Sequence, residues 1–490
     1  MKRAYLLAMA AAVAAPAFCA EPPAPAKDLG VWMAVGDSIS HGTFSHSYRW
    51  FLQKILIDNG VGFDAQGYLN RSYSGAYDKD TYCGREFDNE HCAQFNIWTD
   101  EVAGLRFRRL TSMSGLQSSN LDNWLGLSDV LTPDSSGKRG TYHGATFAPD
   151  TFTYMLGTND LQGMRETSTE NIRQATRKNM ESMLAAAARK DTPTTIYLMS
   201  VTATDHNPAL ARRIAEHNTW LRNELAPALQ GRQARVVYAD VNPGLQDVSR
   251  EPGQAVAGMF AKDRLHPTNQ GSMLVAGNLA RAMGCPGRTV ALPRRAAADF
   301  NSAAHAAGFR SMPHDSQNLQ LSGTALDFGS DGESATWMHW KTPVSREKGF
   351  TAEFSLSLGD GAANGWEKDT PMTIIVGDGS HMGALVITEP YIKWGDSVIY
   401  SRNMAETCTI RIAYRPADTA RSIRAGFYVW LGGTLIGEAL PETDCTLCNG
   451  VMVNYPAAGK ARLESAALDS TAAWAPAAPA QPEIRRQTQH

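Results

Sequence analysis

The sequence predicts two folded units in tandem: an α/β unit built on a parallel sheet with helices on both faces, then an all-β unit. Three observations predict this. From Val31 to Pro286, short β-type runs alternate with helical stretches. After Cys285, helical periodicity becomes scarce, and short alternating runs separated by glycine-rich turns take over. Finally, 490 residues exceed what one ordinary core organises.

The chain opens with Lys2 and Arg3, then the apolar run Ala4–Val13, then small residues at Ala15, Ala17 and Ala20. A charged start, a short apolar run and small residues are the marks of a cleaved secretory signal over residues 1–20. The run is too short to span a bilayer as a helix. Cys19 could suggest lipid attachment, but the bulky Phe18 before it argues against that. A secreted or periplasmic location follows. Residues 21–28, rich in Pro and Ala, form a linker.

The α/β unit is expected over residues 29–286. Val31–Val35 is a continuous apolar run ending in Gly36, as in a buried strand that enters a turn. Phe44 to Asn59 is helical, with Trp50, Phe51, Ile55 and Leu56 at helical spacing. Strands are expected at Thr151–Leu156, Thr194–Val201 and Ala234–Val241. Helices are expected at Ser168–Lys190, Pro208–Leu229 and Thr268–Ala282. Residues 287–299 form a second linker, residues 300–474 a β-sandwich, and residues 475–490 a disordered tail. Within the sandwich, Phe350–Leu358 and Thr409–Tyr414 alternate, and Gly426–Ile436 forms a hairpin about Gly432-Gly433.

The formal net charge of −3 leaves no global field to recruit nucleic acid or an anionic membrane. No later stretch is apolar enough for stable membrane insertion. Export changes how the cysteines read. Of the seven, Cys19 lies in the signal and six remain. In an oxidising compartment these favour disulfides: Cys83 with Cys92, and a bridge among Cys408, Cys445 and Cys448, with Cys285 free. Cys445-Thr-Leu-Cys448 has no second such pair with which to hold zinc.

Three short blocks carry the chemistry. Gly36-Asp37-Ser38 follows the first strand, where α/β folds build their sites and a helix N-terminus favours developing negative charge. Gly157-Thr158-Asn159-Asp160 follows the strand at Thr151–Leu156, and an amide there can donate to an oxyanion. Asp263-Arg264-Leu265-His266 precedes the last helix. Its histidine can take a proton from serine, and its aspartate can hold the other ring nitrogen. Singly, these read as well as an N-cap, a turn and surface residues. Together and in this order they resemble the SGNH (GDSL-type) serine hydrolase family, over about half of the chain.

That resemblance implies a flavodoxin-like three-layer α/β/α fold with Ser38, Asp263 and His266 as a catalytic triad. It implies an oxyanion hole of the Ser38 N–H, a glycine N–H and the Asn159 side chain. Ser114-Gly115, shortly before a helix-like stretch, fits the glycine, and Ser74-Gly75 is the rival. Choosing Gly115 leaves a long insertion, Asn70 to Arg109. No cofactor and no metal are required. His41, His46, His91, His143 and His206 are scattered, although His41 and His143 could lie near the pocket.

The partner expected is a small-molecule or glycan ester. Aromatic residues of the insertion (Tyr73, Tyr77, Tyr82, Phe87, Phe95, Trp98) stand among hydrogen-bonding groups, as suits sugars. Packing of the insertion onto the core explains them equally well. Patterning over Tyr428–Leu440 resembles jelly-roll modules of the laminin-G/concanavalin type. The favoured activity is a carbohydrate O-acetylesterase acting on an acidic sugar such as O-acetylated sialic acid, with acetylated xylan or another acetylated polysaccharide as the close variant. The alternatives are a lipid or lysophospholipid esterase and a non-catalytic glycan-binding protein.

Overall fold

The structure is a computed structural model. In the first unit it describes residues 28–42, 47–59, 61–66, 111–112, 115–121, 149–163, 168–231 and 234–285. Beyond that it describes 297–298, 309–312, 319–322, 325–328, 336–340, 343–358, 372–388, 390–404, 406–418, 424–446, 448–455 and 461–470. The insertion Asn70–Arg109, with Gly75, Cys83 and Cys92, lies wholly outside the described residues. Residues 1–20 and 475–490, where a signal and a tail are expected, also lie outside them.

The first unit is α/β. Strand β1 (Asp28–Gly36) leads into α1 (Ser38–His41), followed by α2 (Tyr48–Asp58), β2 (Gly62–Gln66) and β3 (Thr111–Ser112). Then come β4 (Thr151–Met155), α3 (Thr158–Leu161), α4 (Thr169–Ala187), β5 (Thr194–Met199), α5 (Pro208–Trp220), a π turn (Leu221–Leu225), α6 (Ala226–Ala228), β6 (Ala234–Ala239) and α7 (Asn269–Ala282). All pairings are parallel, in the order β2-β1-β4-β5-β6, and β3 pairs only Val35 and Gly36 of β1. β4 occupies the other edge of β1 at those residues, so β3 continues the β2 side.

β1 reads as a continuous apolar run because both of its faces are covered. Trp32 and Ala34 join the cluster that holds Leu52 and Leu56 of α2 and Leu274 and Leu279 of α7. Met33 and Val35 join the opposite cluster, with Met180 and Met183 of α4 and Trp220 at the end of α5. A period of two thus feeds two helical layers from one strand. The helices start where side-chain oxygens accept orphan N–H groups. Ser168 accepts from Asn171, Asn207 from Leu210, and Thr268 from Gly271. The π turn stands just before Pro227, whose ring would collide with the carbonyl four residues earlier in a regular helix.

The second unit is β-rich, with two sheets whose neighbouring strands pair antiparallel. One runs Thr434–Leu440, Gly426–Leu431, Cys408–Arg415, Phe350–Leu358, Ala461–Asp469, Ala325–Phe328, Leu319–Ser322. The other runs Ser397–Ser401, Tyr391–Trp394, His381–Ile387, Met372–Asp378, Asn449–Tyr455, Thr336–Trp340, Phe309–Met312. Phe354 and Leu356 of the first sheet share one apolar cluster with Ile374 and Val376 of the second. The Gly432-Gly433 hairpin forms as the pattern predicts, with both glycines at positive φ (54° and 83°).

The apolar cluster does not stop at the boundary between the units. It continues from α7 into the β-rich unit, through Ile436, Tyr400 and Ile399. The Gln270 amide donates to the carbonyls of Ile399 and Ile436, and Arg281 donates to Thr434 Oγ1. Gly277 has no room for a side chain, since a Cβ there would stand 2.8 Å from Thr434 Cγ2.

The disulfide expected among Cys408, Cys445 and Cys448 is not formed. Cys408 and Cys448 are free thiols. Cys408 and Cys448 are buried in apolar surroundings, which push their thiols up to about 11 and about 12. An apolar site favours the neutral thiol, so packing accounts for these cysteines where the oxidising compartment suggested a crosslink.

Candidate active site

β1 is where the chain order reverses, with β2 on one side and β4 on the other. Open α/β sheets leave a crevice at such a point, beyond the carboxyl ends of the strands. The three sequence blocks meet there.

Ser38 opens α1 directly after β1. The turn is set by Asp37, whose carboxylate accepts the Ile39 N–H at 3.0 Å, and is closed by Gly42 at φ 93°. Asp37 is fully buried, and that burial pushes its carboxyl up to about 6 against the Ile39 N–H and His266. Arg49 of α2 and the Ser47 hydroxyl both donate to the Ser40 carbonyl, which fastens α1 to α2.

His266 lies between Ser38 and Asp263. Its Nε2 is 2.7 Å from Ser38 Oγ and its Nδ1 is 2.5 Å from Asp263 Oδ2. The other oxygen of Asp263 accepts the backbone N–H groups of Leu265 and His266, at 3.0 and 3.1 Å. The aspartate therefore folds the chain back on itself and delivers its second oxygen to the ring. Burial would raise the Asp263 carboxyl, but the His266 ring and the two N–H groups outweigh it and hold it below its usual range. The turn passes through Arg264 at φ 59°, a left-handed conformation uncommon outside glycine.

Asn159 is the second residue of α3, whose N-cap, Gly157, sits at φ 133°. Its Nδ2 donates to the Leu116 carbonyl at 3.0 Å. One of its two amide hydrogens is thus used for orientation, and the other remains to donate elsewhere. The same bond places Asn159 beside the segment that starts at Gly115, itself at φ 75°. That segment follows β3, which pairs with the last residues of β1. Asp160 turns the other way, and both of its oxygens accept the Ser118 N–H, at 3.1 and 2.9 Å. Burial pushes its carboxyl up, opposed by that N–H.

The structure thus brings together Ser38, Asp263 and His266 by direct contact, and joins Asn159 to the Gly115 segment. His41 lies one turn beyond Ser38 in α1. His143 and the rival Gly75 lie outside the described residues. His206 has a definite place: its Nδ1 stands 3.1 Å from the Asp263 carbonyl oxygen. Thr204 beside it donates to the Arg264 carbonyl at 2.8 Å. Sequence reading had no means of finding these two. They act on backbone atoms some 60 positions away and belong to no motif.

No curated protein sequence matches the chain. Among solved structures, a carbohydrate esterase family 3 protein from Talaromyces cellulolyticus is 17% identical, covering 52% of this chain and 95% of its own, with a TM-score of 0.33. Axe2, an acetylxylan esterase from Geobacillus stearothermophilus, is 13% identical over 53% of this chain and 95% of its own, with a TM-score of 0.31. The carbohydrate binding module CBM66 from Bacillus subtilis is 14% identical over 34% of this chain and 94% of its own, with a TM-score of 0.21. Residues 34–274 match the model of the GDSL-like Lipase/Acylhydrolase family. With all three blocks inside that stretch, the α/β unit of this chain belongs to the GDSL-like lipase/acylhydrolase family.

Proposed function

We propose that the protein is an exported serine esterase that removes O-acetyl groups from carbohydrates, with Ser38 as nucleophile. The observation that carries the reading is the unbroken line of contacts from Ser38 Oγ through the His266 ring to Asp263. His266 Nε2 accepts the Ser38 proton as Ser38 Oγ attacks the ester carbonyl. Asp263, ionised, accepts from Nδ1–H, fixes the tautomer and stabilises the imidazolium. The tetrahedral oxyanion is held by the N–H groups of Ser38 and Gly115 and by the free amide hydrogen of Asn159. His266 then protonates the leaving alcohol. Water, deprotonated by the same ring, attacks the acyl-enzyme, releasing the acid and restoring Ser38.

The family fixes ester cleavage as the class of reaction. The carbohydrate substrate rests on three further supports: the signal-like start of the chain, the aromatic and hydrogen-bonding residues of Asn70–Asp100, and the β-rich unit appended to the hydrolase. Among the described residues, no helix is long and apolar enough to cross a membrane.

The test is acetate release from acetylated xylan and from acetylated sialoglycans, beside a long-chain lipid ester and a Ser38→Ala control. Acetate from a glycan, abolished in Ser38→Ala, is the expected result. Turnover of the lipid ester with no acetate from either glycan overturns the carbohydrate reading. Acetate release undiminished in Ser38→Ala overturns the assignment of the nucleophile.

A further inference from the structure

The two units meet at more than α7. Between β6 and α7 the chain makes a long excursion, residues 240–268, that ends in the Asp263–His266 turn. Its middle part touches the β-rich unit. Tyr391 donates its hydroxyl to Asp247 Oδ2 at 2.8 Å, and the Val248 N–H donates to Ser401 Oγ at 3.3 Å. Asp247 is buried, and its other oxygen accepts the Ser249 N–H and hydroxyl. Without Tyr391 this carboxylate would lose an acceptor interaction away from water, which is costly.

From Asp247 a continuous set of bonds leads to the triad turn. The Arg250 N–H donates to the Asp247 carbonyl, and Arg250 Nη1 pairs with Asp205 at 3.0 Å. The Asp205 N–H donates to the Arg264 carbonyl at 3.1 Å, alongside the Thr204 hydroxyl. Arg264 is the residue in the left-handed conformation between Asp263 and His266, so its carbonyl is a point from which the turn can be held. A strained turn keeps its shape only while its surroundings over-determine it.

We propose that Tyr391 of the β-rich unit is a positioning residue for the reaction, acting through Asp247, Arg250 and Asp205 on the turn that carries Asp263 and His266. The inference rests on the reading of Ser38, Asp263 and His266 as the catalytic set. On this proposal the β-rich unit completes the active site from behind.

Tyr391→Phe removes one hydroxyl and leaves the ring. In the full-length mature protein, with p-nitrophenyl acetate as probe, kcat is expected to fall about three- to tenfold with KM within about twofold. The downfield Nδ1–H proton resonance of His266 is expected to move. Adding Tyr391→Phe to Asp247→Asn should cost less than it does in the wild type, since both act on one path. Ser401→Ala, which removes the second bond to the same loop, is read in the same way should Tyr391→Phe fold poorly. Unchanged kcat with an unmoved His266 resonance, even with a lower melting temperature, would reduce Tyr391 to a tether and overturn the proposal. Full turnover by Ser38→Ala would instead overturn the underlying site assignment.

Discussion

At position 264 the backbone enters the left-handed region with an arginine, not a glycine. For an L residue this costs about 1–2 kcal/mol, and glycine would remove that strain while adding about 0.5–1 kcal/mol of chain entropy to overcome. Arg264→Gly is therefore expected to leave the melting temperature and kcat nearly unchanged. Arg264→Val, with a branched side chain in the same conformation, should lower both. Equal losses in the two variants would mean that the arginine side chain, not the backbone, matters there. The neighbouring prediction concerns Asn159. Losing one oxyanion donor typically costs ~2.7–4 kcal/mol. Asn159→Ala should thus reduce kcat by about 10²–10³-fold, with KM little changed. A loss confined to KM would remove Asn159 from the oxyanion hole.

At this scale the sequence was most legible where chemistry demands particular residue types in a fixed local order. Ser38, Asn159, Asp263 and His266 could be singled out because three short blocks occur together in a set order, although each block alone reads as well as a cap, a turn or surface residues. Thr204 was not singled out and His206 only as one of several scattered histidines, because they work on the backbone of Asp263 and Arg264 with side chains that carry no such signature. Tyr391 and Asp247, 144 positions apart, were equally silent.

Among the elements, α5 carries an unusual passenger. His217 is buried, with neither ring nitrogen hydrogen-bonded, between Trp220, Val201 and the backbone of Gly157. Burial, helped by Arg173 over the Trp220 ring, pushes its pKa down to about 4. The sign follows from proton counting. In the unfolded chain the ring protonates below about 6.5, whereas in the fold it stays neutral until about pH 4. Its contribution is complete above the unfolded value and is lost as pH falls through that window, by about 3 kcal/mol. Chemical denaturation at several pH values, compared with His217→Leu, measures it: the wild type should lose stability relative to the variant as pH falls. Asp37 runs in the opposite sense. Its raised carboxyl gives stability that is lost as pH rises through about 6. Parallel curves for wild type and His217→Leu would show that the ring has a partner. Sequence periodicity located the helices around these sites to within a few residues. Only packing reveals that a polar ring lies on the buried side of α5.

For the whole molecule, the shared apolar cluster and the bonds from α7 to the β-rich unit mean that neither unit has a complete surface of its own. Calorimetry is expected to show one cooperative transition. Gly277→Val, which forces a side chain against Thr434, should lower it by several degrees. Two separate transitions in the wild type would count against coupling of this kind. Strand alternation and the glycine hairpin made the all-β texture of the second unit readable. The joining of the units was not readable, because it depends on which exposed face of α7 meets which strand, and amphipathic patterns do not name their partners.

The buried thiols lead to a consequence for biogenesis. Cys285, Cys408 and Cys448 are enclosed by packing, and the last two are held strongly protonated. Once folded, they are poor substrates for thiol oxidants and exchange enzymes. Their risk is confined to the interval between synthesis and closure of the core. Rapid folding, more than correct oxidation, then guards this part of the chain against mispaired crosslinks.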